Sequence, residues 1–246
     1  MAYPKFADKH NEEQLITAGE FLKWKKLSKA NAPKKYVFVY YSYILKYLRR
    51  KLHLHKVACI NRLLTIYERN GVGVLCMTGI GAPHATTCME EIIALGGRTF
   101  LNIGAAGGLH DFGAYLCRRA LRDEGTSYHY IAHGDYTFPD AQLTKQFGTF
   151  LTKNEFAFKK GTTWTIDAPY KETKAEIHRY KRQGIDTVDM EASALFAVAK
   201  VRKVKIASAF VVSDVVGKEQ WDPQFDKGHV RQQLKTLAEL AVKFLH

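Results

Sequence analysis

The chain has 246 residues, of which 46% are hydrophobic and 12% aromatic, so it can bury a large core in one or two domains. Its four cysteines, Cys59, Cys76, Cys88 and Cys117, are scattered and form no CxxC pair, which argues against a zinc knuckle or a disulfide framework and predicts no metal site. No stretch reaches the roughly 18 apolar residues of a membrane span. Residues 1–20 do not resemble a signal peptide, so we expect a soluble protein of the reducing cytoplasm.

The formal net charge is +13, from 37 lysines and arginines against 24 aspartates and glutamates. Such an excess is compatible with a nucleic acid, an acidic membrane surface or an anionic small substrate as partner. The basic residues cluster at 23–35, 46–56 and 171–182, where neither an RRM motif nor a zinc-finger spacing occurs. We therefore favour a solvated basic surface over nucleic-acid binding, and we expect no membrane partner.

The N-terminal part of the chain differs in pattern from the rest. Residues 1–35 predict a polar helical leader that ends at Pro33, and residues 36–246 predict the main domain. Early in that domain the sequence predicts strands at 36–41, 63–67 and 72–77, a hairpin turn at 70–71, and a helix at 85–94. The order strand, glycine turn, helix is the opening of a βαβ unit.

Strands and helices continue to alternate in the remainder of the domain. The predicted β segments are 99–103, 115–120, 127–131, 162–166 and 205–212, and the predicted helices are 141–151, 171–182, 190–201 and 231–245. Because helices alternate with buried strands, the predicted fold class is α/β with three layers.

Two glycine segments, 79–83 and 104–108, follow predicted strands. Open α/β sheets bind ligands at the carboxyl ends of their strands, and glycine lets backbone amides approach a ligand there. The candidate binding positions in these segments are Gly81, Gly104, Ala105, Ala106 and Gly107. Neither segment fits the GxGxxG fingerprint or the P-loop, so the sequence gives no support for NAD or ATP as a cofactor.

The Val-Asp-Met-Glu run at 188–191 is predicted to open a helix. Glu191 would lie in the first turn, where the macrodipole and free amides favour an ionised carboxylate. Such a carboxylate is a strong acceptor for two vicinal hydroxyls, as in ribose, with Met190 as an apolar surface under the sugar and Asp189 fixing the turn. The alternative is that Asp189 and Glu191 are ordinary acidic residues at the start of a surface helix.

Ser213 and Asp214 follow the apolar run 207–212, at the carboxyl end of a buried strand. Burial at that position favours the protonated carboxyl that a general acid needs, so Asp214 is the candidate general acid. The alternative is that Asp214 is the N-cap of the next segment.

Four motifs in a fixed order resemble one enzyme family. They are Gly79-Ile80-Gly81-Ala82-Pro83, Asn102-Ile103-Gly104-Ala105-Ala106-Gly107-Gly108, Val188-Asp189-Met190-Glu191-Ala192 and Val212-Ser213-Asp214. In identity and order they resemble the purine nucleoside and uridine phosphorylase family, which includes nucleosidases, over roughly residues 36–245. Residues 122–130 are similar to the uridine phosphorylase branch.

The resemblance implies a three-layer sandwich with a central mixed β-sheet, and cleavage of the N-glycosidic bond of a nucleoside. It implies that Glu191 binds the ribose hydroxyls, that Met190 packs on the sugar and that Asp214 protonates N7 of a purine. Phosphate attacks C1′ in the phosphorylases and water in the nucleosidases, so we expect inorganic phosphate as co-substrate and no cofactor. It also implies a homo-oligomer, a dimer or a hexamer.

The base pocket is expected in the aromatic stretch 164–170, where the family lines that pocket. Tyr170 is our candidate to stack on the base, and the alternative is a core aromatic at a strand end. A general acid at N7 favours a purine, and the Gln-x-Arg that reads uracil is replaced by Lys171-Glu172-Thr173-Lys174. We therefore predict a purine or a broad base specificity.

The positions that hold phosphate in the family differ in this chain. Asn102 and Ala105 stand where the phosphorylases have an arginine and a Ser or Thr, and Tyr41-Ser42 follows the first strand in place of a Gly-Asp-Pro segment. Asn102 resembles the nucleosidase branch, whose water-activating glutamate is missing at 41–42. The candidates to supply the missing positive charge are Arg49, Arg50 and Arg62.

Three functions are consistent with this pattern. The first is a nucleoside phosphorylase, the second is a hydrolytic nucleosidase, and the third is a non-catalytic relative that binds nucleosides or RNA. Asn102, Ala105 and the net charge motivate the third. Dependence of base release on phosphate distinguishes the first two functions.

Overall fold

The strands of the described chain form one mixed sheet. The computed structural model describes residues 3–6, 8–27, 32–61, 64–217 and 220–246, without the side chains of 59–61. The strands are β1 (Lys35–Val39), β2 (His55–Asn61), β3 (Leu64–Arg69), β4 (Val72–Cys76), β5 (Thr99–Gly108), β6 (Ala114–Asp123), β7 (Tyr136–Thr137), β8 (Lys159–Ile166), β9 (Thr187–Asp189), β10 (Lys205–Val215) and β11 (Asp222–Pro223).

The centre of the sheet is parallel, in the order β4, β1, β5, β10, and β3 and β2 continue it antiparallel beyond β4. On the other side the strands close on themselves, because β10 pairs with β6, β6 with β8, β8 with β9, and β9 with β5. The predicted mixed sheet is therefore confirmed, and it includes a closed ring of five strands.

Helices cover both faces of this sheet. They are α1 (Ala18–Trp24), α2 (Ser42–Lys51), α3 (Ala82–Leu95), α4 (Ala141–Lys153), α5 (Lys174–Arg182), α6 (Ala192–Arg202) and α7 (Gly228–Leu245). Buried apolar residues of α2, α4 and α7 share one core with the sheet, and those of α1, α3 and α6 share another. The three-layer α/β class is confirmed, with burial of apolar side chains on both sheet faces as the main stabilising term.

Several element predictions were wrong in detail. The basic run at 42–51 was not predicted as a helix, yet it forms α2, which buries Ile44 and Leu48 at an i, i+4 spacing and leaves its cations in water. Strand β2 was not predicted either. Residues 127–131 were predicted as a β segment, but residues 126–129 form a 3₁₀ turn.

The N-terminal leader packs on the domain through the short helix α1 and through side chains outside it, such as Tyr3, whose hydroxyl is 2.7 Å from Nε2 of His129. Leu22 of α1 is buried in the same core as α3, whereas Trp24 is 72% exposed. Strand β1 begins at Lys35, next to the boundary predicted at residue 36. In the part of the chain that the structure describes, no helix combines the length and the apolar character needed to cross a membrane.

Candidate functional site

A cavity of about 690 Å³ opens at the carboxyl ends of β1, β5 and β10. This is the edge at which open α/β sheets bind ligands. Most of the predicted site residues line it: Gly104, Ala105, Ala106, Gly107, Tyr170, Asp189, Met190, Glu191, Ser213 and Asp214. The sequence therefore predicted one wall of the cavity from residues that lie up to 110 positions apart, and the sheet brings them together.

Gly107 of β5 explains how the two acidic motifs meet. It pairs with Val188 of β9 on one side and with Asp214 of β10 on the other. A Cβ at Gly107 would lie 2.8 Å from Cγ1 of Val188 and 3.7 Å from Oδ2 of Asp214. A side chain at position 107 would push β9 and β10 away from β5. Glycine at this position therefore allows the acidic groups of β9 and β10 to line the same cavity.

The glycine content of segment 104–108 favours a turn, but the segment does not form one. All five residues continue β5, and residues 104–107 line the cavity. Pairing with β10 through Gly108 supplies the hydrogen bonds that keep this segment extended.

Glu191 is the N-cap residue of α6 and not a residue of its first turn. Its Oε1 accepts a hydrogen bond of 2.6 Å from the backbone N–H of Gly81, so the first glycine segment contributes by holding Glu191. Burial, and secondarily the charge of Asp189, raise the pKa of Glu191 to about 8. The backbone amides that were expected to stabilise its ionised form are instead bonded to another carboxylate.

That other carboxylate is Asp189, which is buried at the end of β9. It accepts hydrogen bonds from the backbone N–H groups of Glu191, at 3.0 Å, and Ala192, at 2.7 Å. Its second oxygen accepts from Thr165 at 2.7 Å and from Thr163 at 3.1 Å. These four donors agree with the predicted role of Asp189 in fixing the turn, and the surface-helix alternative fails for both acidic residues.

Asp214 lies near the end of β10 and is 7% exposed. Its Oδ1 accepts from the hydroxyl of Ser213 at 2.8 Å, and its Oδ2 accepts from the indole N–H of Trp221 at 2.8 Å. The N-cap alternative is wrong, because Asp214 is inside a strand and the next described helix, α7, begins at Gly228. Ser213 and Trp221 both line the cavity with it.

The candidates for phosphate lie away from the cavity. Asn102 is fully buried; its amide oxygen accepts from the hydroxyl of Tyr40 at 2.7 Å, and its amide nitrogen donates to Ser208 at 3.2 Å. Both ends of the amide are thus used to join the strands. Arg49 and Arg50 are exposed on α2, and the guanidinium of Arg49 stacks 4.6 Å above the ring of Tyr67. Arg62 lies outside the described residues.

Tyr170 is fully exposed on the short turn Pro169–Lys171 at the mouth of the cavity. The alternative of a core aromatic is therefore wrong. A ring in this position is free to pack on a ligand, because no neighbouring side chain covers it.

Several residues that line the cavity were not predicted as site residues: Tyr40, Tyr41, Ile80, Glu172, Lys174, Trp221 and Phe225. The two tyrosines follow β1. In the sequence, the only indication that they belong to the site is this position directly after the first strand. Glu172 follows the turn that carries Tyr170. Partial burial, and secondarily the charge of Asp214, raise the pKa of Glu172 to about 7.

The cavity is acidic, although the chain as a whole carries a charge of +13. Its lining includes the carboxyl groups of Glu172, Asp189, Glu191 and Asp214. Among the described lining residues, Lys174 is the single cation, and its side chain is exposed. Such a lining favours positive charge on a bound molecule.

Sequence comparisons agree with the motif resemblance. A family model described as "Phosphorylase superfamily" matches residues 46–246. A guanosine phosphorylase of Halorubrum lacusprofundi is 27% identical over 56% of this chain and 59% of its own length, and a uridine phosphorylase of Treponema pallidum is 29% identical over 65% and 69%. The first match thus spans less than two thirds of that relative.

Solved structures share the fold at lower identity. An AMP nucleosidase from Bacteroides thetaiotaomicron superposes with a TM-score of 0.76 and 18% identity, over 94% of this chain and 98% of that one. The match thus extends over nearly the whole length of both chains.

Proposed function

Because the chain belongs to the phosphorylase superfamily, we propose that it cleaves the N-glycosidic bond of a nucleoside, with Glu191 on the ribose and Asp214 on the base. The observation that carries this proposal is that the carboxyl groups of both residues line one cavity of about 690 Å³. Cavities of this size hold small ligands of the size of a nucleoside.

The chemistry follows from where charge develops. When the bond between C1′ and the base nitrogen breaks, its electron pair goes to the base and the sugar becomes positive. Glu191 accepts hydrogen bonds from the ribose hydroxyls, Met190 packs under the sugar, and Asp214 gives a proton to the base. Ionised carboxyl groups of the lining stabilise the positive sugar, and the proton from Asp214 neutralises the charge on the base.

Phosphate is our first candidate for the group that attacks C1′, since the two relatives named above are phosphorylases. Its product is ribose 1-phosphate, and no other cofactor is needed. Nucleoside and phosphate are then the partners of this chain. A homo-oligomer, as the resemblance implies, is part of the same proposal and supplies a route for a cation from a second subunit.

Water is the second candidate, and the charge of the cavity favours it. Phosphate needs cations or several free amides, but the described lining carries only Lys174 as a cation. Asn102 is buried, is bonded to Tyr40 and Ser208, and is not among the residues that line the cavity. Water attacks without an added negative charge, so this site accepts it at lower electrostatic cost.

The base that fits best is a purine with N–H donors on its outer edge. Glu172 lines the cavity near Asp214 and is an acceptor when ionised. Guanine presents N1–H and an adjacent amino group, which one carboxylate binds with two parallel hydrogen bonds. Adenine and uracil each present an acceptor to the same group, so guanosine is the preferred substrate in this proposal.

The decisive test is base release from guanosine, inosine, adenosine and uridine, with and without phosphate. Ribose 1-phosphate formed only with phosphate supports phosphorolysis, and free ribose formed at the same rate in both conditions supports hydrolysis. Release of no base from any of the four would overturn the proposal in favour of a binding protein.

Glu191→Gln is expected to lower kcat/KM by about a hundredfold, and full turnover in that variant would remove Glu191 from the reaction.

A further inference from the structure

Trp221 makes a direct contact with the proposed general acid. Its indole N–H donates to Oδ2 of Asp214 at 2.8 Å, while Ser213 donates to Oδ1 at 2.8 Å. Each oxygen of the carboxylate therefore has one donor. The torsion that turns an aspartate carboxylate is broad, so a single donor leaves its plane free to rotate, and two donors fix it.

The segment that carries Trp221 is tied to the same strand as Asp214. Residues 222–223 form β11, which pairs with β10 through Asp214 and Val215. The backbone N–H of Gln224 donates to the carbonyl of Ser213 at 2.8 Å. Trp221 precedes β11 by one residue, so strand pairing sets the distance from its indole to the carboxylate.

The indole itself takes no part in proton transfer at neutral pH, because its N–H is a donor only. Trp221 is 61% exposed, so the protein core does not need its ring. Its ring lies 6.1 Å from that of Phe225, and its hydrogen bond is the part-buried one to Asp214, which indicates a role that acts through that residue.

We propose that Trp221 is a positioning residue, whose indole N–H holds the Asp214 carboxylate in the orientation that faces the base. This inference rests on the proposed function. When Asp214 is protonated, it delivers its proton along the O–H bond, which lies in the plane of the carboxyl group, and a rotated carboxyl group misses the base nitrogen. Nothing in the chain near Asp214 signals this contact, because it joins residues across a loop.

Steady-state kinetics of Trp221→Phe test the proposal. Phenylalanine keeps a ring but has no N–H. We expect kcat to fall about tenfold, as for the loss of one hydrogen bond to a charged group, with KM within about threefold of wild type. Trp24→Phe, which changes another exposed tryptophan on α1, is the matched control and leaves both constants unchanged. A kcat within twofold of wild type in Trp221→Phe would overturn the inference.

A second measurement does not depend on turnover. In a ¹H–¹⁵N spectrum, the indole signal of Trp221 is identified by its loss in Trp221→Phe. We expect this signal to move upfield in Asp214→Ala, since its acceptor is gone. An unmoved signal would contradict the contact. If the wild-type protein cleaves no nucleoside, the proposed function fails, whereas the spectrum still decides whether Trp221 holds Asp214.

Discussion

Burial, and secondarily the neighbouring carboxyl group of Asp189, raise the pKa of Glu191 to about 8. Only the ionised form accepts hydrogen bonds from both ribose hydroxyls with both oxygens. We therefore expect kcat/KM to rise as pH increases through about 8. A pH profile of kcat/KM with a saturable nucleoside measures this.

Asp189→Asn provides the control for that profile. It removes a negative charge next to Glu191, so the pKa of Glu191 falls and the rise in kcat/KM moves to lower pH. A profile that is flat between pH 6 and pH 9, or one that does not move in the variant, would contradict the role given to Glu191.

Glu172 gives a second prediction at the scale of one side chain. Glu172→Gln replaces one acceptor oxygen by an amino group, which clashes with a donor edge of the base. At pH 8, where Glu172 is ionised, we expect kcat/KM for guanosine to fall about tenfold or more and that for adenosine to change less than about threefold. Glu155→Gln, on an exposed residue outside the cavity, is the control. An unchanged ratio of guanosine to adenosine would remove Glu172 from base recognition.

The site residues that could be predicted from the sequence lie in short consecutive motifs. Met190, Glu191 and Asp214 stand next to a strand end or a helix start, and that local position gave their placement in the cavity. Glu172 and Trp221 have no such signal, since each reaches Asp214 from a loop whose path depends on tertiary pairing. Asn102 was misplaced for a related reason: its partner Tyr40 follows a different strand, β1.

At the scale of elements, the turn between β9 and α6 depends on Asp189. Its carboxylate accepts from two amides at the start of α6 and from two threonines of β8. Asp189→Ala leaves these buried donors unpaired, so we expect the free energy of unfolding to fall by about 2 kcal/mol or more. In a chain of this size that is a drop in Tm of about 4 to 8 °C, measured by thermal unfolding.

Thr173→Ala is the matched control for this cap. Thr173 forms an exposed capping box with Glu176 at the start of α5, and its removal costs about 1 kcal/mol. Equal destabilisation by the two variants would show that burial adds nothing to the cap of α6.

Helices could be predicted from the sequence where apolar residues recur at a regular helical spacing on one face, as in α3, α4 and α7. Helix α2 was missed because four of its ten residues are basic and its buried side comes from only a few apolar positions. The extension of β5 through the glycine segment was missed because its pairing with β9 and β10 is long-range. The glycine content of residues 104–108 favours a turn, but pairing with the neighbouring strands keeps the segment extended.

Across the whole molecule, the charge of the cavity is opposite to that of the chain. At about pH 9, above the pKa values of Glu172 and Glu191, a 5′-phosphate would add about −1.5 to −2 charges to a nucleoside, next to these ionised carboxylates and one lysine in the described lining. We expect kcat/KM for AMP to be at least about a hundredfold below that for adenosine, and the gap to narrow as salt screens the charges. Equal turnover of AMP and adenosine at low salt would contradict this view of the cavity.

The hydrogen bond from Tyr40 to Asn102 limits how this region can vary among relatives. The ring of Tyr40 packs where Gly104 has no side chain, since a Cβ there would lie 3.3 Å from Cδ2 of the ring. An arginine alone at position 102 would bury an unpaired charge against the phenol. The three positions should therefore evolve as a unit, so that relatives with arginine at position 102 lack tyrosine at position 40. Tyrosine and arginine found together in many relatives would refute this coupling.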